Sequence, residues 1–266
     1  MPMHKLSYNL LSASNRGVEQ EIETIARAGY PAVGIHRSKL EPLGVEAMGA
    51  LVRNAGLKVS CYGTGGYFLE EGMWAQRIEE TKRRIEITAQ LGADCLVILT
   101  GPRGDRTLAE AEHLLFEALD AVLPAAQDHG VRLGLEPVTH VAQHITFLHL
   151  LSDALHLIER VDSPYLGLVV DVWYHWWQRD FADCIRRAGD RLLIVQLADQ
   201  SAPGFSMMDR APLGEGVIPL EESLHAVDAA GFAGYYDVEI FSTKLTDEQK
   251  DGLVSGSKAV FDRVWS

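Results

Sequence analysis

Four residues in the second half of the chain have side-chain oxygen atoms that could ligate a metal. Each of them lies within an apolar segment or at its end. Glu136 ends "VRLGLE", Asp171 ends "YLGLVVD", Gln196 lies in "RLLIVQLA" and Glu239 lies in "GYYDVEIF". Buried carboxylates repel one another and are costly unless a positive group lies among them. Oxygen ligands of this kind suit a divalent cation. A salt bridge or a helix cap explains any one of these acids, so the metal hypothesis depends on the four residues together.

The elements that must position these residues follow a repeating pattern. Short segments rich in Val, Ile, Leu and Tyr alternate with longer segments of helical periodicity, which indicates β-α units and a parallel sheet. The predicted strands are 5–11, 32–36, 57–62, 94–100, 131–136, 165–171, 191–198 and 234–241. Eight such units favour an α/β fold of the (β/α)8 TIM-barrel type over an open doubly wound sheet, and the first turn, "SASNRG", lacks a GxGxxG motif.

The sequence contains no segment with the composition of a linker, so we predict that residues 1–266 form a single barrel domain. The active site of a parallel barrel lies at the carboxyl ends of its strands. The four oxygen-bearing side chains belong to the fifth to eighth predicted strands and are therefore expected to converge on one mouth.

Composition argues against several classes of function. A net charge of -13 and the scattered basic residues argue against binding of nucleic acid. The three cysteines lack the spacing of a disulfide framework or a zinc finger. The N-terminus lacks the apolar stretch of a signal peptide, and no window is long and apolar enough for a membrane span. We therefore expect a cytoplasmic protein with no membrane partner. The sequence is compatible with a homo-oligomer and does not specify the oligomeric state.

Several motifs together resemble a known family, the xylose-isomerase-like TIM barrels, which include sugar-phosphate isomerases and epimerases. The resemblance runs over nearly the whole chain, and the family also contains ketose 3-epimerases, inosose dehydratases and endonuclease IV. The segments that carry the resemblance are "AGLKVSCYGTGGYF", "LGLEPV", "GLVVDVWYHWW", "APLGEGVIPL" and "YYDVEIFS". The strongest likeness is to the sugar phosphate isomerase/epimerase-like members.

The resemblance implies a metal site built from Glu136, Asp171, Gln196 and Glu239, where the family pattern is Glu, Asp, His and Glu. Gln196 departs from that pattern, because it stands where the family normally has a histidine. An amide oxygen is a harder and weaker donor than imidazole, so Mn²⁺ or Mg²⁺ is expected rather than Zn²⁺.

Three further residues are expected to bind substrate. The family usually places a histidine three residues after the aspartate, but Tyr174 stands there and His175 follows, so either side chain could reach the substrate, and we favour His175. Arg210 matches the family arginine ahead of the "GEG" turn, and its guanidinium suits substrate oxygens. His36 follows the second strand. Packing, capping and surface salt bridges are the alternative explanations.

The implied activity is metal-dependent epimerisation or isomerisation of a carbohydrate-like small molecule: a sugar, sugar phosphate or keto-polyol. A metal would polarise the carbonyl, and Glu136 and Glu239 would transfer the proton through an enediolate. A dehydratase of the inosose type is an alternative, because the same enolate could expel a β-hydroxyl. A barrel that has lost its metal and its activity also remains open, whereas an endonuclease is disfavoured by the acidic charge.

Overall fold

A computed structural model describes residues 4–201 and 206–266 of the chain. Eight parallel strands close a barrel in the order β1-β10-β7-β6-β5-β4-β3-β2, and β8 pairs antiparallel with β9 outside it. The strands are β1 Lys5–Asn9, β2 Ala32–His36, β3 Lys58–Gly66, β4 Cys95–Leu99, β5 Arg132–Leu135, β6 Leu166–Asp171, β7 Leu192–Leu197, β8 Asp199–Gln200, β9 Arg210–Ala211 and β10 Tyr235–Val238. The predicted single-domain (β/α)8 barrel is confirmed.

Helices follow the barrel strands and cover the outside of the barrel. They are α1 Val18–Arg27, α2 Arg37–Leu40, α3 Val45–Asn54, α4 Trp74–Leu91, α5 Leu108–His129, α6 Leu151–Val161, α7 Val172–His175, α8 Phe181–Ala188, α9 Leu220–Ala229 and α10 Asp247–Val264. Within the described ranges, none is both long and apolar enough to cross a membrane.

Helix α5 shows how the local sequence sets the ends of an element. Thr107 accepts a hydrogen bond from the backbone N–H of Glu110, and the Glu110 carboxylate accepts one from the Thr107 backbone, which forms a capping box. Gly130 ends the helix in the left-handed conformation, at φ 65°, which a residue without Cβ adopts at little cost. The chain therefore leaves α5 in the direction that starts β5.

The strands are almost entirely buried, because helices cover the outside of the barrel and side chains fill its interior. Every residue of β4, β6, β7 and β10 is buried. Burial of apolar side chains supplies most of the stabilisation of such a fold, at about 25 cal/mol per Å² of apolar area. Against this apolar background, buried polar residues at the strand ends stand out.

Strand β3 is longer than predicted. It continues to Gly66, whereas the sequence pattern predicted a strand that ends at Tyr62. The three glycines at 63, 65 and 66 lower strand propensity, but pairing with β4 along Gly63–Gly66 overrides it. The longer strand places Gly63 and Thr64 at the barrel mouth.

Candidate active site

A cavity of about 310 Å³ opens at the carboxyl ends of the strands. Three of the four oxygen-bearing residues predicted from the sequence line it: Glu136 after β5, Gln196 on β7 and Glu239 after β10. The fourth, Asp171, ends β6 and has no exposed surface. Since Asp171 pairs in register with Gln196, all four residues lie at one end of the barrel, as predicted.

Arg210 bridges two of these carboxylates. Its Nη2 donates to Oδ2 of Asp171 at 2.6 Å, and its Nη1 donates to Oε2 of Glu239 at 3.2 Å and to the Glu239 backbone carbonyl at 2.9 Å. The Arg210 side chain is completely buried. A buried ion pair of this kind is strongly destabilising to break, because a lone charge would remain in the interior.

Aromatic rings surround the Arg210 guanidinium. Its Cζ lies 4.0 Å from the ring centroid of Phe241, 5.0 Å from that of Tyr174 and 5.3 Å from that of Trp173. The negative faces of aromatic rings attract a cation, and the attraction is stronger away from water. The rings therefore hold the guanidinium against the two carboxylates.

The connection between β7 and α9 positions Arg210. Asp199 accepts hydrogen bonds from the backbone N–H groups of Gly214 and Ile218, both at 3.0 Å, which fastens the turn that contains "GEG". Asp199 also pairs with Ala211 in the β8-β9 ladder. On the other side, the backbone N–H of Arg210 donates to the Phe241 carbonyl at 3.1 Å. These bonds attach Arg210 to the strand ends on both sides.

The Gln196 amide also contacts Glu239. Its Nε2 donates to Oε1 of Glu239 at 3.2 Å, so that each oxygen of this carboxylate accepts a hydrogen bond from a different side chain. No hydrogen-bond partner for Oε1 of Gln196 is found in the part of the chain that the structure describes. Gln196 and Arg210 together fix the position of Glu239.

Burial raises the pKa values of the three carboxyl groups. The pKa of Glu136 lies well above its ordinary value because of burial and the nearby charges of Glu239 and Asp171. Burial also raises the pKa values of Glu239 and Asp171, and the Arg210 charge partly opposes that rise in both. Since Arg210 contacts Asp171 and Glu239 but not Glu136, the negative charge is favoured on the first two.

The predicted ligand residues do not fit a divalent cation in this arrangement. The Arg210 guanidinium bridges Asp171 and Glu239, and the nitrogen of the Gln196 amide, rather than its oxygen, faces Glu239. Across residues 4–201 and 206–266, no three His, Cys, Asp or Glu side chains are grouped closely enough to hold a metal ion. A positive group belonging to the chain itself lies among the carboxylates.

Tyr174, rather than His175, faces the cavity. Tyr174 is among the lining residues, whereas His175 has no exposed surface and its Nδ1 lies 2.9 Å from the Asp171 backbone carbonyl. Burial lowers the His175 pKa to about 4. The four-residue helix α7 turns His175 back towards β6. Trp173, Trp176 and Trp177 are all absent from the cavity lining.

His36 lines the opposite side of the cavity, at the end of β2. Its Nδ1 lies 2.8 Å from the Ser38 hydroxyl and also accepts a hydrogen bond from the Ser38 backbone N–H. Burial, together with the charges of Arg37 and Arg84, lowers the His36 pKa to about 4. His36 is therefore a neutral polar group at physiological pH.

A second polar cluster, formed by Ser7, Asn9, Ser60, Cys61 and Asp237, lies in the barrel near the cavity. Asn9 donates to Oδ2 of Asp237 at 2.7 Å, and Asn9 and Cys61 line the cavity. Burial raises the Asp237 pKa to about 6. A Cβ on Gly34 would lie 2.6 Å from Asp237 Oδ2, so only glycine leaves room for this pair.

The sequence predictions gave Asn9 and Asp237 no role. Both follow the pattern that identified the other site residues, since Asn9 is a polar residue at the end of an apolar strand and Asp237 lies two residues before Glu239. Side chains two residues apart on a strand point to the same side. Applied to the first and eighth strands, this rule would have found them.

Known proteins resemble this chain in sequence and in structure. A family model described as a xylose isomerase-like TIM barrel matches residues 22–260. Fructoselysine 3-epimerase from Shigella flexneri is 24% identical over 246 residues, which cover 86% of this chain and 87% of that protein.

Solved structures also match over nearly the whole chain. Protein SMc04130 from Sinorhizobium meliloti 1021 has a TM-score of 0.89 at 30% identity and covers 97% of this chain and 98% of its own. The IolI protein, whose structure contains a zinc atom, has a TM-score of 0.86 at 20% identity and covers 98% of this chain and 97% of its own.

Proposed function

The chain belongs to the xylose isomerase-like TIM-barrel family, and we propose that it is an epimerase or isomerase of a neutral keto sugar or keto-polyol. The reaction would transfer a proton at the carbon next to a carbonyl group. The observation that carries the proposal is that Glu136 and Glu239, two buried carboxyl groups, line the same cavity from different strands.

The names of relatives support this class of reaction. The relative from Shigella flexneri and a second one from Escherichia coli O157:H7 are both fructoselysine 3-epimerases, and each match spans 86% of this chain. The shared family supports the carbohydrate class, and the site residues of this chain support the proton transfer.

Glu239 and Glu136 have different surroundings, which suit different roles. Arg210 and Gln196 donate to the two oxygens of Glu239, and the Arg210 charge opposes the rise that burial causes in the Glu239 pKa, which makes Glu239 the better suited of the two to act as the base. Burial and neighbouring negative charges favour the protonated form of Glu136, which would return a proton. A positioned acid and base of this kind contribute about 10²–10⁴-fold each to a proton-transfer rate.

The cavity lining favours a neutral substrate over a phosphorylated one. Among the described residues that line the cavity, none is Lys or Arg, and His36 is neutral at physiological pH. A phosphate group binds tightly where cations or several N–H donors face it. The ionised Glu239 carboxylate would repel such an anion. We therefore propose a neutral substrate whose hydroxyl groups meet the polar strand ends.

Metal dependence, which the resemblance implies, is not part of this proposal. A metal held by Glu136, Asp171, Gln196 and Glu239 would need the Arg210 guanidinium to leave both carboxylates. When bound in such a site, a divalent ion polarises the substrate carbonyl. The steps assigned above use only side chains of this chain.

The experiment that tests the proposed function is hydrogen exchange in D₂O. Neutral ketoses and keto-polyols are incubated with the protein, and ¹H NMR follows the loss of the C–H signal next to the carbonyl together with formation of the epimer or aldose. The matching sugar phosphates serve as comparison substrates and are expected to react more slowly. Loss of water instead of exchange would identify a dehydratase, and no exchange across the panel would argue for an inactive barrel.

A further inference from the structure

The carboxylates at the barrel mouth have a cation that the sequence alone did not place among them. Arg210 contacts Asp171 and Glu239, two of the residues expected to ligate a metal, through separate nitrogen atoms. The residues it pairs with are 39 and 29 positions away in the sequence. Arg210, on β9, therefore supplies a positive charge to this site from outside the barrel strands.

We propose that the Arg210 guanidinium takes the place of a divalent cation in this barrel, so that the protein holds its strand-end carboxylates together without a metal. Arg210 would be a positioning residue, because it acts on the reaction through Glu239. The inference depends on the proposed function only for the role of Glu239 as the base.

The geometry around Glu239 supports this proposal. One oxygen accepts from Arg210 and the other from Gln196, so the residue that departs from the family's histidine contributes a donor N–H to the same carboxylate. The amide nitrogen of Gln196 therefore holds this carboxylate by a hydrogen bond, which an imidazole bound to a metal would not do. Gln196 is thus the departure from the family's ligand pattern, and Arg210, which matches the family arginine, supplies the second donor to the same carboxylate.

Burial distinguishes the Arg210–Asp171 ion pair from the ion pairs at the surface of this protein. Elsewhere on the barrel, arginines pair with acids at the surface, as Arg187 does with Glu159, where the side chains are 41% and 35% exposed. The Arg210 and Asp171 side chains are both 0% exposed. An arginine remains protonated even when buried, so it provides a permanent charge, as a bound metal would.

In this arrangement, a metal ion and the Arg210 guanidinium would compete for the same carboxylate oxygens of Asp171 and Glu239. A divalent cation would lie beside a positive charge in an interior where electrostatic interactions are weakly screened. It would also need the carboxylate oxygens that Arg210 already uses. Metal binding should therefore appear only when Arg210 is removed, and should strengthen when an imidazole replaces the Gln196 amide.

Isothermal titration with Mn²⁺ and Zn²⁺ after dialysis against chelator tests the proposal without any substrate. The series consists of the unmodified protein, Gln196→His, Arg210→Ala and Arg210→Ala/Gln196→His, with Arg187→Ala as the control for loss of a surface arginine. We expect the unmodified protein, Gln196→His and the Arg187 control to bind no equivalent of metal. The double variant is expected to bind one equivalent per chain, at least tenfold more tightly than Arg210→Ala.

Three results would overturn the proposal. The first is one equivalent of metal bound by the unmodified protein or Gln196→His and lost in Asp171→Asn. The second is a folded double variant, judged by circular dichroism, that binds no metal. If the double variant is unfolded without metal, Mn²⁺ during refolding should restore the native spectrum, and failure to do so is the third. None of these measurements uses turnover, so the proposed epimerase or isomerase activity stands or falls separately.

Discussion

Arg210 and Asp171 form an ion pair in which Nη2 and Oδ2 are 2.6 Å apart and neither side chain has any exposed surface. Asp171 ends β6, and its other oxygen accepts a hydrogen bond from the Trp173 backbone N–H at 2.9 Å, which starts α7. One carboxylate therefore joins a strand, a helix and the connection that contains Arg210. We therefore expect the stability of the barrel mouth to depend on this pair.

Arg210→Met should destabilise the fold, because Asp171 would remain buried without its cation. Loss of one partner from a buried pair costs about 3–5 kcal/mol. Urea unfolding followed by circular dichroism measures the change. Arg187→Met removes an exposed ion pair and should cost no more than about 1 kcal/mol. Equal losses in the two variants would contradict a special role for the buried pair.

Glu136→Gln and Glu239→Gln should each slow the proposed proton transfer by about 10²–10⁴-fold, because an amide cannot accept or return the proton. The rate of C–H exchange in D₂O is the measurement, and the free energy of unfolding is measured in parallel. Glu41→Gln, at an exposed position beside α2, is the control and should retain the full rate. Exchange at the original rate in either cavity variant would remove that residue from the mechanism.

His36 should stay neutral down to about pH 5. Its pKa is about 4 in the folded protein, below the ordinary value of 6.5, mainly because of burial. Between these two values the unfolded chain binds more protons than the folded one, so stability contributed by His36 is complete above pH 6.5 and is lost as the pH falls towards 4. NMR titration of the imidazole measures the pKa.

The variant His36→Gln is the control for that titration. It removes the titrating group, so unfolding measured at pH 7 and pH 5 should show a smaller loss of stability than in the unmodified protein. An imidazole that titrates near 6.5 in the folded protein would contradict the prediction, as would an identical pH dependence in the two proteins.

Asp199→Ala should loosen the turn that leads away from Arg210. The change leaves the backbone N–H groups of Gly214 and Ile218 without their acceptor, and the buried donor of Ile218 costs about 1–3 kcal/mol to leave unpaired. Amide hydrogen exchange should accelerate at these two positions. Glu215→Ala, exposed in the same turn, should leave both amides protected. Unchanged protection in Asp199→Ala would show that other contacts hold the turn.

Gly34→Ala should disturb the second polar cluster. The added Cβ would lie 2.6 Å from Oδ2 of Asp237 and 2.7 Å from Nδ2 of Asn9, closer than non-bonded atoms approach. Overpacking of this kind costs about 1–3 kcal/mol. Gly252→Ala is the matched control, because no atom lies within 4 Å of its new Cβ and alanine favours the helix α10. The two variants should shift the free energy of unfolding in opposite directions.

The barrel and the convergence of its acids could be predicted because both follow from short-range patterns. Apolar segments and helical periodicity identify the β-α units, and the carboxyl ends of parallel strands share one face. Glu136, Gln196 and Glu239 could therefore be assigned to one mouth before any contact was known. The end of β3 was missed, because its glycines have low strand propensity and only pairing with β4 makes them a strand.

Arg210 could not be placed from the sequence in the same way. It lies in a connection rather than at the end of a barrel strand, and its contact with Asp171 spans 39 positions. Tyr174 and His175 were also ambiguous, because a helix of only four residues does not reveal which side faces the cavity. The position of Arg210 and the choice between Tyr174 and His175 both depend on packing between distant segments. The periodicity of the sequence gives no information on such packing.

A charge that is part of the polypeptide is always present, whereas a bound ion has to be taken up from solution. A bound ligand stabilises a fold by an amount that rises with its free concentration, so a protein with a resident ion depends on the contents of its surroundings. The Arg210 guanidinium is present at one copy per chain as soon as synthesis is complete. Folding of this barrel mouth should therefore proceed equally well in metal-rich and metal-starved conditions.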